Sequence, residues 1–274
     1  MKNPVLWVVG LCLIAAIAIF SRQEWQPSRA AAETSKCVSE VPSSLSLRCV
    51  SFSGHLYAVA QIDLRKQKIV FTVSGDSRKE TFPEVFSNLS REGLAPLLVT
   101  NAGIYGTDNR PLGLLISPKG KVHEVNARTD TSSAHGNFSW DSAVFQISDT
   151  DVARIVPAKG WHGSPQIVAA TQSGPQLASA GKINASFPVQ SESSYLRTAI
   201  GIDEKNRGLV YVVVSRETVT LYELATFMVS NLHCTEALHL DGDLSAFFLP
   251  STPQKFLFSD PGERIVTVLS VLDK

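Results

Sequence analysis

The chain lacks any surplus of charge: 25 lysines and arginines stand against 25 aspartates and glutamates over 274 residues. No basic field is available to gather nucleic acid, so that class of partner is excluded. No C-x-x-C pair occurs among the four cysteines, which removes zinc ribbons and redox dithiols. The six histidines, His55, His123, His135, His162, His233 and His239, show no paired metal-ligand spacing. Neither a metal nor another cofactor is therefore implied. Pro/Ser-rich linkers and internal repeats are also missing, so nothing divides the chain into further domains.

What is present begins with Met1-Lys2-Asn3-Pro4 and an almost unbroken apolar run from Val5 to Phe20. One early lysine ahead of an uncharged core reads as a secretion signal or as a single membrane anchor. The run is short of the roughly 20 residues of a spanning helix. The small residues Ala30-Ala31-Ala32 offer a cleavage site 10 residues beyond Phe20. Residues 1–32 are thus assigned as signal peptide or anchor, and the remainder is expected outside the cytosol, in the periplasm or beyond the cell. Those 32 residues hold Lys2, Arg22, Arg29 and Glu24, so 25 basic and 25 acidic residues become 22 and 24 beyond them, a net charge near −2. Cys37, Cys49 and Cys234 remain in the exported part. In an oxidising compartment two should pair: Cys37–Cys49 would staple a lead-in segment, residues 33–51, whereas Cys49–Cys234 would cross the domain.

Residues 52–274 read as one domain. His55–Asp63 partly alternates and predicts a strand, with Lys68–Ser74 as its antiparallel partner. Thr81-Phe82-Pro83-Glu84 has capping-box spacing, predicting a short helix from Phe82 to about Arg91. Pro96–Thr100 has the length of a buried strand and delivers Asn101 at its end. Hairpins are expected at Gly113–Ser117 with Lys121–Val125, and at Ser142–Ser148 with Val152–Val156. Gln166–Thr171, Thr198–Asp203 and Leu209–Ser215 are further strands. A second capping box, Thr220-Leu221-Tyr222-Glu223, opens a helix ending near His233, after which the short strand Ala237–Leu240 delivers Asp241. Arg264–Leu272 is the last strand. Strands outnumber helices without regular alternation. The expected fold is α+β: a single domain with a large mixed or antiparallel, curved or layered β-sheet and a few packed helices.

Four segments place polar residues beside glycine at the ends of apolar runs. Asn101-Ala102-Gly103-Ile104-Tyr105 supplies an amide and an aromatic ring suited to sugar contacts. Gln172-Ser173-Gly174-Pro175 offers backbone N–H groups and a hydroxyl for an anion or a sugar hydroxyl, and lacks the G-x-S-x-G pattern of a serine nucleophile. Arg197, ahead of Thr198-Ala199-Ile200-Gly201, is a clamp for phosphate or carboxylate, the partner of an internal carboxylate, or a solvent-facing residue. Asp241, followed by Gly242, Asp243 and Ser245, is a catalytic carboxylate, a metal ligand or a turn-capping residue.

In this order the four segments resemble the phosphodiester glycosidase family, the family of the mammalian lysosomal uncovering enzyme. Leu221-Tyr222-Glu223-Leu224-Ala225 is similar to the helix before the last motif, and the likeness runs from about Phe52 to Leu272. The short form behind a hydrophobic N-terminus is most similar to the bacterial YigE-like branch. Asp243 departs from the glycine-rich sequence of the mammalian enzymes. The resemblance implies hydrolysis of the anomeric C–O bond of sugar-1-phosphodiesters, with envelope glycans or their fragments as substrate. Asp241 and Arg197 would be catalytic. Asn101, Gly103, Tyr105, Gln172, Ser173, Gly174, Gly242 and Ser245 would bind substrate, and Asp203 and Glu223 are candidates for a second carboxylate. The alternative is a non-catalytic envelope module that binds glycan through the same cleft. The membrane would be a partner only through the N-terminal segment.

Overall fold

Hydrophobic alternation along the longer strands sorts their side chains between two cores. In the computed structural model, which describes residues 41–75, 78–127, 141–242, 245–250, 255–258 and 262–274, these cores lie on opposite faces of one large sheet. In chain order the first strands are β1 (Ser46–Phe52), β2 (His55–Asp63), β3 (Gln67–Val73), β4 (Glu80–Thr81), β5 (Pro96–Asn101), β6 (Leu115–Ser117) and β7 (Gly120–His123). Then follow β8 (Ala143–Ser148), β9 (Ala153–Pro157), β10 (Ile167–Ser173), β11 (Gln176–Ser179), β12 (Lys182–Ile183), β13 (Thr198–Asp203) and β14 (Asn206–Ser215). The last are β15 (Glu236–His239), β16 (Phe247–Leu249), β17 (Lys255–Leu257), β18 (Arg264–Ile265) and β19 (Thr267–Asp273).

The expected single sheet is three sheets and a two-stranded ribbon, with every described pairing antiparallel and none mixed. One sheet has seven strands in the order β1-β2-β14-β13-β15-β11-β12; two have five, β7-β6-β10-β8-β9 and β17-β16-β5-β19-β3; β18 pairs β4. Helices are few, so the protein is mostly β.

Helix α1 (Phe82–Arg91) lays Phe82, Val85 and Leu89 against Val99, Phe248 and Val268 of a five-stranded sheet. Helix α2 (Leu221–Thr226) runs into a π-helical turn, Phe227–Asn231, and the two pack on the large sheet. Alternation explains the layering. On β2, Ala58, Ala60 and Ile62 enter the core shared with Phe71, Phe145 and Leu269 of the two smaller sheets. Tyr57 and Val59 point the other way, toward Leu224 of α2 and toward Phe227 and Met228 of the turn. Tyr57 stacks on Phe227 with ring centroids 4.0 Å apart.

Both capping boxes form. Thr81 accepts from the Glu84 N–H at 3.4 Å while Glu84 accepts from the Thr81 N–H at 2.8 Å. Thr220 and Glu223 repeat the exchange at 3.1 and 2.8 Å. Several expectations change. The strand after β2 does not pair with it: β3 pairs along its length with β19, and β2 lies between β1 and β14. The serine-rich lead-in contains a strand of its own, β1. The last strand is two, because β18 leaves to pair β4 before β19 enters its sheet.

Cys49 is disulfide-bonded and Cys234 is free and buried, which excludes a Cys49–Cys234 bridge. Cys37 and the apolar run 5–20 lie outside the described residues. No helix among the described residues is long and apolar enough to cross a membrane.

Candidate active site

The polar ends of strands from all three large sheets meet. Asn101 closes β5, Ser173 closes β10, Arg197 precedes β13, and β15 runs into Asp241. The Asp241 N–H donates to the Ala102 carbonyl at 2.8 Å, and the Asn101 side-chain amide donates to the Asp241 carbonyl. Thr198 Oγ1 lies 2.9 Å from Asn101 Oδ1 and 3.0 Å from Ser245 Oγ. These hydrogen bonds tie the first, third and fourth segments together. All of Asn101, Thr198 and Ser245 are buried.

Register explains the second half of the site. Ala199 opposes His239 in the β13–β15 ladder, and the Leu240 N–H donates to the Thr198 carbonyl at 2.9 Å. Alternation puts Arg197, Ala199 and His239 on the sheet face that carries α2, with Thr198 on the other.

Arg197 is 2 % exposed. Its Nε donates to the Val219 carbonyl at 3.0 Å, Nη2 donates to the Ser193 carbonyl at 3.4 Å, and Nη1 lies 3.3 Å from His239 Nε2. The guanidinium sits 5.3 Å from the Tyr195 ring centroid. No carboxylate pairs with it among the described residues. Burial pulls its pKa below the ordinary guanidinium value, to about 10, so it is charged at neutral pH. A buried cation held only by neutral groups is costly, and such sites concentrate where function requires them.

The sequence leaves His239 facing either cleft or core; it is buried and joins Arg197 to Gly174. Its Nδ1 lies 3.0 Å from the Gly174 carbonyl. The four polar segments give it no role in the site, although its place two residues before Asp241 on a short strand is the signal that implicates it. Gly242 packs on the ring: a Cβ there would lie 3.1 Å from His239 Nε2. The Gly174–Pro175 peptide is cis.

The remaining segments are placed as follows. Gln172 uses its whole amide internally: Oε1 accepts from the Leu114 and Asn126 N–H groups at 3.0 and 2.9 Å, and Nε2 donates to the Asn126 carbonyl and Ser142 Oγ at 2.7 and 3.1 Å. Ser173 Oγ is buried without a hydrogen-bond partner among the described residues. Gly103 lies flat against β10, where a Cβ would collide with the Gln172 carbonyl and come within 2.6 Å of Thr171 Oγ1. Tyr105 bridges to Pro111, and the Lys79 ammonium lies 5.0 Å from its ring centroid. Glu223 is committed to the cap of α2 and to His55 at 3.6 Å, and Asp203 ends β13 at the opposite end from Arg197. Asp243 and His135 lie outside the described residues. Among the described residues, no three His, Cys, Asp or Glu side chains gather as metal ligands. A cavity of about 740 Å³ lies elsewhere, between α1 and the β6–β7 turn.

Fold and site together define a layered antiparallel domain whose strand tips surround one buried cation. The chain belongs to the phosphodiester glycosidase family, which matches residues 96–263. Membership supports a glycosidase-type function. YigE of Escherichia coli K12, an uncharacterized protein, is 28 % identical over 170 residues, covering 62 % of this chain and 64 % of that one, less than two thirds of its length. Among solved structures, the chain is similar to the zebrafish N-acetylglucosamine-1-phosphodiester alpha-N-acetylglucosaminidase catalytic domain auto-inhibited by its pro-peptide. That match has a TM-score of 0.57 at 16 % identity over 88 % of this chain and 87 % of that one. A hypothetical protein from Synechocystis matches with a TM-score of 0.52 at 15 % identity, over 84 % and 62 %. These two likenesses concern the fold.

Proposed function

We propose that this protein is an exported hydrolase that cleaves the bond between a sugar's anomeric carbon and a phosphodiester oxygen in envelope glycans or their fragments. The observation that carries the reading is Arg197, a buried guanidinium held by two carbonyls and a histidine and paired with no carboxylate among the described residues. A phosphodiester supplies the negative charge that the fold withholds.

The chemistry suits such a site. Water adds to the anomeric carbon, the C–O bond breaks, and its electron pair leaves on a phosphate monoester. That leaving group is already good, so a strong general acid is less necessary than for ordinary glycosides. Arg197 neutralises the phosphate. Asp241 stabilises the oxocarbenium-like carbon, acts as nucleophile, or activates water. Asn101, Ser173, Gly174 and Ser245 orient the substrate, with Gly103, Tyr105, Gln172 and Gly242 shaping the surround.

The test is a screen of the purified protein against a panel of sugar-1-phosphodiesters, in ¹⁸O-labelled water. Turnover with label in the sugar is expected, and label in the phosphate would move the cut to the P–O bond. Asp241→Asn and Arg197→Ala should each lower kcat/KM by about 10²-fold or more. Folded variants with parental rates would refute the assignment. The second reading, a non-catalytic glycan-binding module, draws support from Glu223 and Asp203, both placed or engaged away from Asp241. Affinity without turnover would favour it.

A further inference from the structure

His239 occupies a position that none of the four polar segments assigns. Its two ring nitrogens face opposite demands. Nδ1 lies 3.0 Å from the Gly174 carbonyl, which only accepts, so Nδ1 carries the hydrogen. Nε2 lies 3.3 Å from Arg197 Nη1, which only donates, so Nε2 presents its lone pair. The ring is therefore neutral in this arrangement. Burial, reinforced by the neighbouring guanidinium, holds its pKa down at about 3.

The hydrogen bonds of Arg197 then leave a defined remainder. Of its five N–H groups, the Val219 carbonyl takes the one on Nε, His239 takes one on Nη1 and the Ser193 carbonyl takes one on Nη2. One N–H is left on each Nη, two donors for the non-bridging oxygens of a phosphodiester. Those two oxygens share a single negative charge, and the site holds a single buried positive charge. Desolvation cost grows with the square of a ligand's charge whereas attraction to one cation grows only in proportion.

We propose that His239 is the positioning residue of Arg197, and that the pair forms a receptor for a singly charged phosphodiester in preference to a doubly charged phosphate monoester. The inference rests on the functional reading above and deepens it: substrate is retained and the monoester product is let go.

Two measurements test it. On the parental protein at pH 8, dimethyl phosphate (singly charged) and methyl phosphate (doubly charged) are compared as competitors of turnover and by ligand-observed NMR. Dimethyl phosphate is expected to compete at about tenfold lower concentration. Equal or tighter binding of methyl phosphate would overturn the charge selection. In parallel, His239→Leu removes the acceptor and His239→Gln restores one. KM should rise about tenfold in the leucine variant with kcat within about threefold, and glutamine should recover most of the loss. A merely structural role would lower the unfolding midpoint without this split or this rescue. A folded leucine variant with parental KM would overturn the positioning role while leaving the hydrolase assignment standing. A parental protein that neither turns over a sugar phosphodiester nor binds dimethyl phosphate would bring down both.

Discussion

Replacing Arg197 by methionine should leave the protein at least as stable while abolishing its chemistry. Methionine keeps an unbranched chain of similar reach and removes the charge. The fall of the Arg197 pKa from the ordinary guanidinium value to about 10 corresponds to about 3 kcal/mol against the charged folded form. The unfolded chain keeps this proton to a higher pH than the folded chain, which releases it at about 10. The cost is therefore present in full at every pH below about 10 and fades above it. Against that gain stand the hydrogen bonds that the guanidinium makes. The Val219 carbonyl still accepts from the Tyr195 N–H at 3.1 Å, and Ser193 is exposed, so water replaces the guanidinium there. Only the His239 Nε2 acceptor is stranded, at about 1 kcal/mol. The difference is a gain of about 2 kcal/mol. Urea unfolding followed by fluorescence should show a higher midpoint with an unchanged slope. Dimethyl phosphate should raise the midpoint of the parental protein and not of the variant. A variant less stable than the parent by more than about 1 kcal/mol would refute the reasoning, because the neutral partners of Arg197 would then more than offset its burial.

Other consequences are independent of the chemistry. Gly103→Ala should cost about 2–3 kcal/mol, read by the same urea curve, because its Cβ would run into the Gln172 backbone where β5 meets β10; an unchanged midpoint would show that the two sheets do not touch there. Burial, with a smaller contribution from Asp203, pushes the Cys234 thiol up to about 12. Iodoacetamide at pH 8 should spare it in the native protein and modify it promptly in urea, by mass spectrometry. Rapid native labelling would place it nearer the surface than β15 and its neighbours allow.

The features legible in the sequence share one property: they are settled within a few residues. Thr81 with Glu84 and Thr220 with Glu223 start both helices because a capping box closes over three residues. The β13–β14 hairpin follows from two adjacent runs. β1 is hidden in the sequence because Ser46, Arg48 and Ser51 break its apolar pattern; it lies at the edge of the seven-stranded sheet, where polar side chains are tolerated.

By itself the sequence determined where helices begin, which runs become strands, and that four polar segments end those runs. Only the tertiary structure decided that β3 leaves its neighbour for β19, that one sheet becomes three, and that Arg197 meets His239 rather than a carboxylate. Those outcomes depend on ladder register and on burial between sheets. Both arise from pairing between residues as far apart as Gln67 and Asp273, which no local pattern encodes.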